Sequence, residues 1–189
     1  MTRKFLTLLL LPFIFVSMTL TGTLTAQAKS NFTSTDVENF LTAMEAVDAG
    51  YGQVPKLTAY LDGLEMTLDF IVNPQGKIII FSKIADAARN LGEGFALEEI
   101  VQGAGFYTLD HWARSGDAIM AAYMIDEIGT EQIEMLAGME SMVDQMPEED
   151  RAETLMAVRL AQNLLLVSDS DVQTLAPYRQ RLADLLNSK

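Results

Sequence analysis

Cysteine is absent from the 189 residues, and histidine and tryptophan occur once each, as His111 and Trp112. Without cysteine no disulfide can brace the fold in an oxidising compartment, so stability has to come from a hydrophobic core. A lipid-anchored N-terminal cysteine is excluded as well. Basic residues are scarce, 13 Lys and Arg against 26 Asp and Glu, a net charge of −13. A surface of that sign repels nucleic acid and anionic headgroups, and it attracts a basic partner or divalent cations. No nucleic-acid partner is expected. Phosphate loops are missing too. Neither Gly92-Glu93-Gly94 nor Gly103-Ala104-Gly105 follows a convincing buried strand or continues to the further glycine or Gly-Lys-Ser/Thr that phosphate contacts require. Both read as joints, and no internal repeat or low-complexity tract accompanies them.

What is present begins with three adjoining signals. Arg3 and Lys4 supply a positive start, Phe5 to Val16 is a mostly apolar run, and Ala26-Gln27-Ala28 is a small-residue cleavage site. Residues 1–28 therefore read as a cleaved signal peptide, which places the mature chain in a periplasm or, by a eukaryotic route, among secreted proteins. An uncleaved anchor would need roughly 20 apolar residues to span a bilayer, and Ser17, Thr19, Thr21 and Thr23 make the second half of the run polar. No transmembrane span is expected after cleavage. Removing the signal leaves 11 basic residues against 26 acidic ones, a net charge of −15. A mature chain of about 160 residues suffices for one hydrophobic core. Residues 29–34 read as a short polar arm and 35–189 as a single helical domain.

The helical domain is organised around Gly103–Gly129. Thr108 is a helix N-cap, its hydroxyl able to accept a bond from a free N–H two or three residues on. Leu109, Trp112, Ala113, Gly116, Ile119, Met120 and Tyr123 follow at three- and four-residue steps, the spacing of one helix face. Gly116 within that stripe permits close approach of a neighbouring helix, and Gly129 supplies the C-terminal stop. Phe106, Trp112 and Tyr123 are the expected core aromatics. Upstream, Thr35 with Glu38 forms a capping pair before the stripe Val37, Phe40, Leu41, Met44 and Val47. Pro55 opens a second helix that carries Leu57, Tyr60, Leu61, Leu64 and Leu68. Downstream, Thr130 caps a helix that runs on to Pro147, Pro147 opens the next, and Ser170 with Gln173 caps the last, which Pro177 kinks or delays.

Residues 66–81 admit two readings. The β-branched and aromatic residues on either side of Asn73-Pro74-Gln75-Gly76 fit a β-hairpin. The residue before proline avoids the α region, so two helices broken at Asn73-Pro74 fit as well. Helix, turn, helix is preferred, because its surroundings are helical and an isolated hairpin needs a partner to pack on. The fold expected is an all-α, single-domain antiparallel helical bundle of about six to eight helices.

Candidate chemistry is thin. His111 lies near Asp110 and Ser115, but residues at i, i+1 and i+5 on one helix point in different directions, and Asp110 is also suited to pair with Arg114 one turn on. Asp169-Ser170-Asp171 starts like a calcium loop but has Thr174 and Gln180 where glycine and glutamate are needed. No catalytic residue, bound metal or cofactor is assigned, and a hydrolase is the reading with least support. The unusual feature is methionine. Met135, Met139, Met142 and Met146 fall at helical spacing along one stripe, with Met120 and Met124 on the preceding helix and Met156 on the following one. Flexible thioethers fill irregular cores, and they also make pliable surfaces for varied partners. The functional expectation is an exported, acidic, non-catalytic module that binds another protein or an apolar small molecule. The alternative is Cu(I) handling, since thioethers favour soft metals.

Overall fold

The computed structural model describes residues 31–49 and 53–187. The expected signal peptide lies outside the described residues. The helices are α1 (Ser34–Ala49), α2 (Pro55–Asp62), α3 (Leu68–Ile71), α4 (Ile80–Asn90), α5 (Gly94–Gly103), α6 (Leu109–Ile128), α7 (Thr130–Ala137), α8 (Glu140–Val143), α9 (Glu148–Leu164), α10 (Asp169–Leu175) and α11 (Arg179–Asn187). A 3₁₀ turn, Ala176–Tyr178, separates the last two, as Pro177 requires. The chain is an all-α helical bundle with no strands among the described residues. None of the described helices is long and apolar enough to cross a membrane.

α6 is the axis. Thr108 is extended, at φ −148° and ψ 160°, and its Oγ1 accepts a 3.1 Å bond from His111 N. Gly129 ends the helix at φ 86°, a conformation that suits glycine. The predicted stripe is buried from Leu109 to Met120, while Tyr123 is only half-buried against the core. Ser115, Ala122 and Met124 are buried too, because α1, α4, α5 and α10 all pack on this helix. Gly116 sits at the tightest crossing, where a Cβ would stand 2.6 Å from Phe40 Cε2 and 2.7 Å from the Phe81 ring. Those two rings enclose Trp112. Phe81 meets it edge-on at 5.3 Å and Phe40 is stacked at 6.4 Å between centroids. Phe106, buried as expected, contacts His111 edge-on at 5.2 Å.

Residues 66–81 form helix, turn, helix. A single antiparallel bridge, Val72 to Ile78, is all that the hairpin alternative shares with the structure. The turn is closed by Asn73, whose Oδ1 accepts from Gln75 N and Lys77 N at 3.0 and 2.9 Å. It is seated on α9, where Arg159 Nη1 donates to Pro74 O at 2.6 Å and Asn163 Nδ2 donates to Gln75 O at 2.8 Å. The second helix stops earlier than expected, at Gly63, so Leu64 and Leu68 do not continue its face.

Helix starts needed correction. Thr33, not Thr35, caps α1 by a reciprocal pair with Asp36, Asp36 N donating to Thr33 Oγ1 at 3.3 Å and Thr33 N to Asp36 Oδ2 at 2.8 Å. Ser168, not Ser170, caps α10, accepting from Asp171 N at 3.1 Å. In both cases the cap lies two residues upstream of the expected one, and at α1 Asp36 closes it in place of the longer Glu38. The arm expected at 29–34 is shorter, since Ser34 already belongs to α1. Phe32 is buried, and Asn31 donates from both N and Nδ2 to the buried Asp171 at 2.9 Å. Thr130 does not cap α7; Gly129 holds that position without a side chain to bond.

Two further helices have no local cap at all. Val54 and Ile79 precede α2 and α4, and neither offers an oxygen on its side chain. Distant carboxylates fill the role. Lys56 N and Leu57 N donate to Glu93 Oε1 and Oε2 at 3.0 and 2.7 Å. Phe81 N donates to Asp117 Oδ1 at 2.8 Å, and Ser82 Oγ donates to Asp117 Oδ2 at 2.5 Å. Negative charge at a helix N-terminus is the favourable sign.

Candidate functional site

The methionines do not form one face. The helix expected from Thr130 to Pro147 is interrupted at Gly138 and Met139, and the chain then tightens. Met139 N, Met142 N, Gln145 N and Met146 N each donate to the carbonyl three residues back. At three residues per turn, positions four apart no longer lie above one another, and the glycine at 138 already weakens an α-helix there. Met139 turns inward and is 8% exposed, in a small cluster with Val143 and Val158 that stands apart from the main core. Met135 and Met142 face out, at 51% and 55% exposure, and Met146 is half-buried. Met120 and Met124 are buried in the main core, and Met156 is partly buried against it. The shared sulfur region drawn from the spacing is thus divided between two cores and the surface.

The surface around Met135 and Met142 is acidic. Glu131, Glu134, Glu140, Asp144 and the run Glu148–Asp150 are exposed, and Arg151 is the one basic side chain between residues 130 and 153. Arg151 is engaged locally, its Nε donating to Met146 O at 2.8 Å. Among the described residues no group of three or more His, Asp or Glu side chains is arranged to hold a metal ion.

A second feature lies beside Trp112 of α6. An apolar cavity of about 80 Å³ is walled by residues of α1, α2, α4, α5, α6 and α11, among them Met44, Leu57, Leu61, Ile84, Trp112 and Leu185. Among the described residues its only polar wall residues are Asp48 and Thr58, and Thr58 Oγ1 already donates to Val54 O at 3.1 Å. Trp112 is 1% exposed, and its Nε1 has no hydrogen-bond partner among the described residues. No sequence signal marked this cavity, because its walls come from six helices and each wall residue also fits an ordinary core stripe.

His111 does not assemble a catalytic set. Its ring lies between Phe106 and the exposed Tyr107, stacked on the latter at 5.9 Å, and its Nδ1 is buried with no hydrogen-bond partner among the described residues. Asp110 does not pair with Arg114 as the spacing suggested. It accepts from Arg89 Nη2 of α4, because the two helices pack side by side. Ser115 is buried.

Asp117 is the titratable group that sequence reading missed. Burial pushes its carboxyl up to about 6 from 3.8, against the bonds from Ser82 Oγ and Phe81 N, which favour the charged form. A folded-state value above the unfolded one means that the native state holds the proton more tightly. The resulting stability is present in full below 3.8 and is lost as pH rises through about 6. Between about pH 4 and pH 7 the wild type is expected to lose roughly 2–3 kcal/mol from this group. Asp117→Asn keeps an acceptor for Phe81 N and removes the titration. Urea denaturation of both proteins across that range checks it, and equal pH slopes for the two would contradict the expectation.

No family model matches this chain, and no curated protein or solved structure matches it either.

Proposed function

We propose that the chain is an exported, non-catalytic binding module, and that its partner is a protein segment with basic residues beside an apolar face. The observation that carries this reading is the exposure of Met135 and Met142 on a segment crowded with carboxylates and almost free of cations. Large apolar side chains left in water are an unspent source of association free energy, about 25 cal/mol for each Å² covered. Methionine adapts its shape to a partner more readily than branched residues do. The carboxylates around the pair attract cationic partners and repel anionic ones. Cu(I) handling finds less support, since a soft-metal site needs several sulfurs converging on one point, and Met139 is buried while its neighbours along the stripe are exposed.

Titration with a Lys/Leu amphipathic helical peptide, followed by the methionine methyl resonances, tests the reading. The Met135 and Met142 methyls are expected to shift, with affinity falling as salt rises. A Glu/Leu peptide of the same apolar pattern should not bind. Leucine at both positions retains apolar surface and removes sulfur, so peptide binding should survive Met135→Leu, Met142→Leu. Stoichiometric Cu(I) uptake that disappears in the same double variant would favour the metal reading. Absence of any shift in the two methyls would overturn the proposal.

A further inference from the structure

We propose that Met135 and Met142 form a paired sulfoxidation site, at which hydrogen peroxide adds one oxygen to each exposed sulfur and thereby switches off the docking surface. The inference rests on the docking reading above and adds its regulation. Three observations carry it. The first is the absence of cysteine, which leaves thioethers as the only sulfur in the chain for an oxidant to reach. The second is how unevenly the described methionines meet water. Met135 and Met142 are more than half exposed, Met120, Met124 and Met139 are buried, and Met44, Met66, Met146 and Met156 are half-buried. The third is charge. Glu131, Glu134, Glu140 and Asp144 are exposed on the same segment. Their carboxylates repel anionic oxidants, so a peroxide that is uncharged at neutral pH is the fitting reagent.

In the reaction the sulfur lone pair attacks one peroxide oxygen. An S–O bond forms as the O–O bond breaks, the departing hydroxide takes the proton of the transferred hydroxyl, and water leaves. Sulfur gives up two electrons and the peroxide receives them. The product is polar where the thioether was apolar. At Met135 and Met142 the new oxygen is hydrated, so the helices stay intact while apolar contact area is lost. At Met120 or Met124 in the main core, or at Met139 beside Val143 and Val158, the same oxygen would be buried in apolar surroundings at a cost to the fold. The break in the helix at Gly138 and Met139 thus separates two thioethers open to the oxidant from the shielded one between them.

Peptide mapping of the folded mature chain after timed exposure to hydrogen peroxide tests the site. Sulfoxide is expected at Met135 and Met142 at least about tenfold faster than at Met120, Met124 or Met139. Helical circular dichroism should be unchanged at that stage, and affinity for the Lys/Leu peptide should fall at least about fivefold. Methionine sulfoxide reductases of both stereospecificities, supplied with dithiothreitol, should restore it. Met135→Leu, Met142→Leu should bind the peptide with or without peroxide treatment. Met135→Gln, Met142→Gln, polar without any oxidant, should bind as weakly as the oxidised protein. Equally fast oxidation of any other described methionine, loss of helix once the two sulfurs are oxidised, or unaltered peptide affinity at that stage would overturn the inference. Failure of the unoxidised protein to bind the peptide is a distinct result, which removes the docking reading and the switch with it.

Discussion

Trp112→Ala is expected to lower the free energy of unfolding by roughly 3–5 kcal/mol, through lost burial and the void left behind. The ring is 1% exposed and is held by Phe40 and Phe81, whose own positions are fixed by the absence of a side chain at Gly116. Alanine would leave the two phenyl rings only each other, edge-on at 4.8 Å, and enlarge a cavity that already exists on one side. The small existing space gives neighbouring side chains somewhere to relax, but filling it would draw Leu57, Leu61 and Leu185 away from their present contacts. Since the substitution removes the fluorophore, chemical denaturation has to be followed by the helical circular dichroism signal. A loss below about 1 kcal/mol would mean that this aromatic cluster is not the centre of the core.

Gly76→Ala should cost roughly 2–5 kcal/mol, from two separable causes. The residue sits at φ 79°, where an L side chain is strained by about 1–2 kcal/mol. Its Cβ would also stand 2.3 Å from the carbonyl carbon of Arg159 and 2.5 Å from its oxygen. That obstacle is helix backbone, which cannot rotate aside as a side chain can. The turn would have to lift from α9, losing the bonds from Arg159 and Asn163 as it goes. Gly92 separates the causes, having φ 77° but nothing within 4 Å of its would-be Cβ. Gly92→Ala should show the conformational cost alone. Thermal or urea denaturation of the two variants checks the difference, and equal losses would mean that the docking of the turn on α9 contributes nothing.

The parts of this fold that were legible in the sequence are those whose causes are local. Thr108, the stripe from Leu109 to Met120 and Gly129 define α6, and each acts within a few residues of its place in the chain. Pro177 breaks the C-terminal helix for the same reason. Asn73-Pro74 forbids helix between α3 and α4 whatever surrounds it, which is why helix, turn, helix could be preferred there. The misreadings arose where a tertiary partner or a small geometric change decided the outcome. Asp110 had a plausible local partner in Arg114, but Arg89 was closer once α4 had packed on α6. The methionine stripe assumed 3.6 residues per turn through Gly138, and a tightening by a fraction of a residue sends Met139 inward and its neighbours outward. The cavity beside Trp112 was invisible because it is defined by what six helices leave between them.

The borrowed caps of α2 and α4 have a consequence for how the chain reaches this structure. In both helices the capping carboxylate lies 36 residues downstream of an amide it serves, Leu57 with Glu93 and Phe81 with Asp117. Starting a helix is the unfavourable step, and short helices are marginal alone in water. A fragment ending at Asn90 contains both helices and neither cap. During synthesis from the N-terminus, α2 waits for Glu93 to emerge, and α4 waits for Asp117, halfway along α6. The first half of the molecule therefore has no stable resting point of its own, and its refolding rate should respond to substitutions in α6 as strongly as to those within α2 or α4.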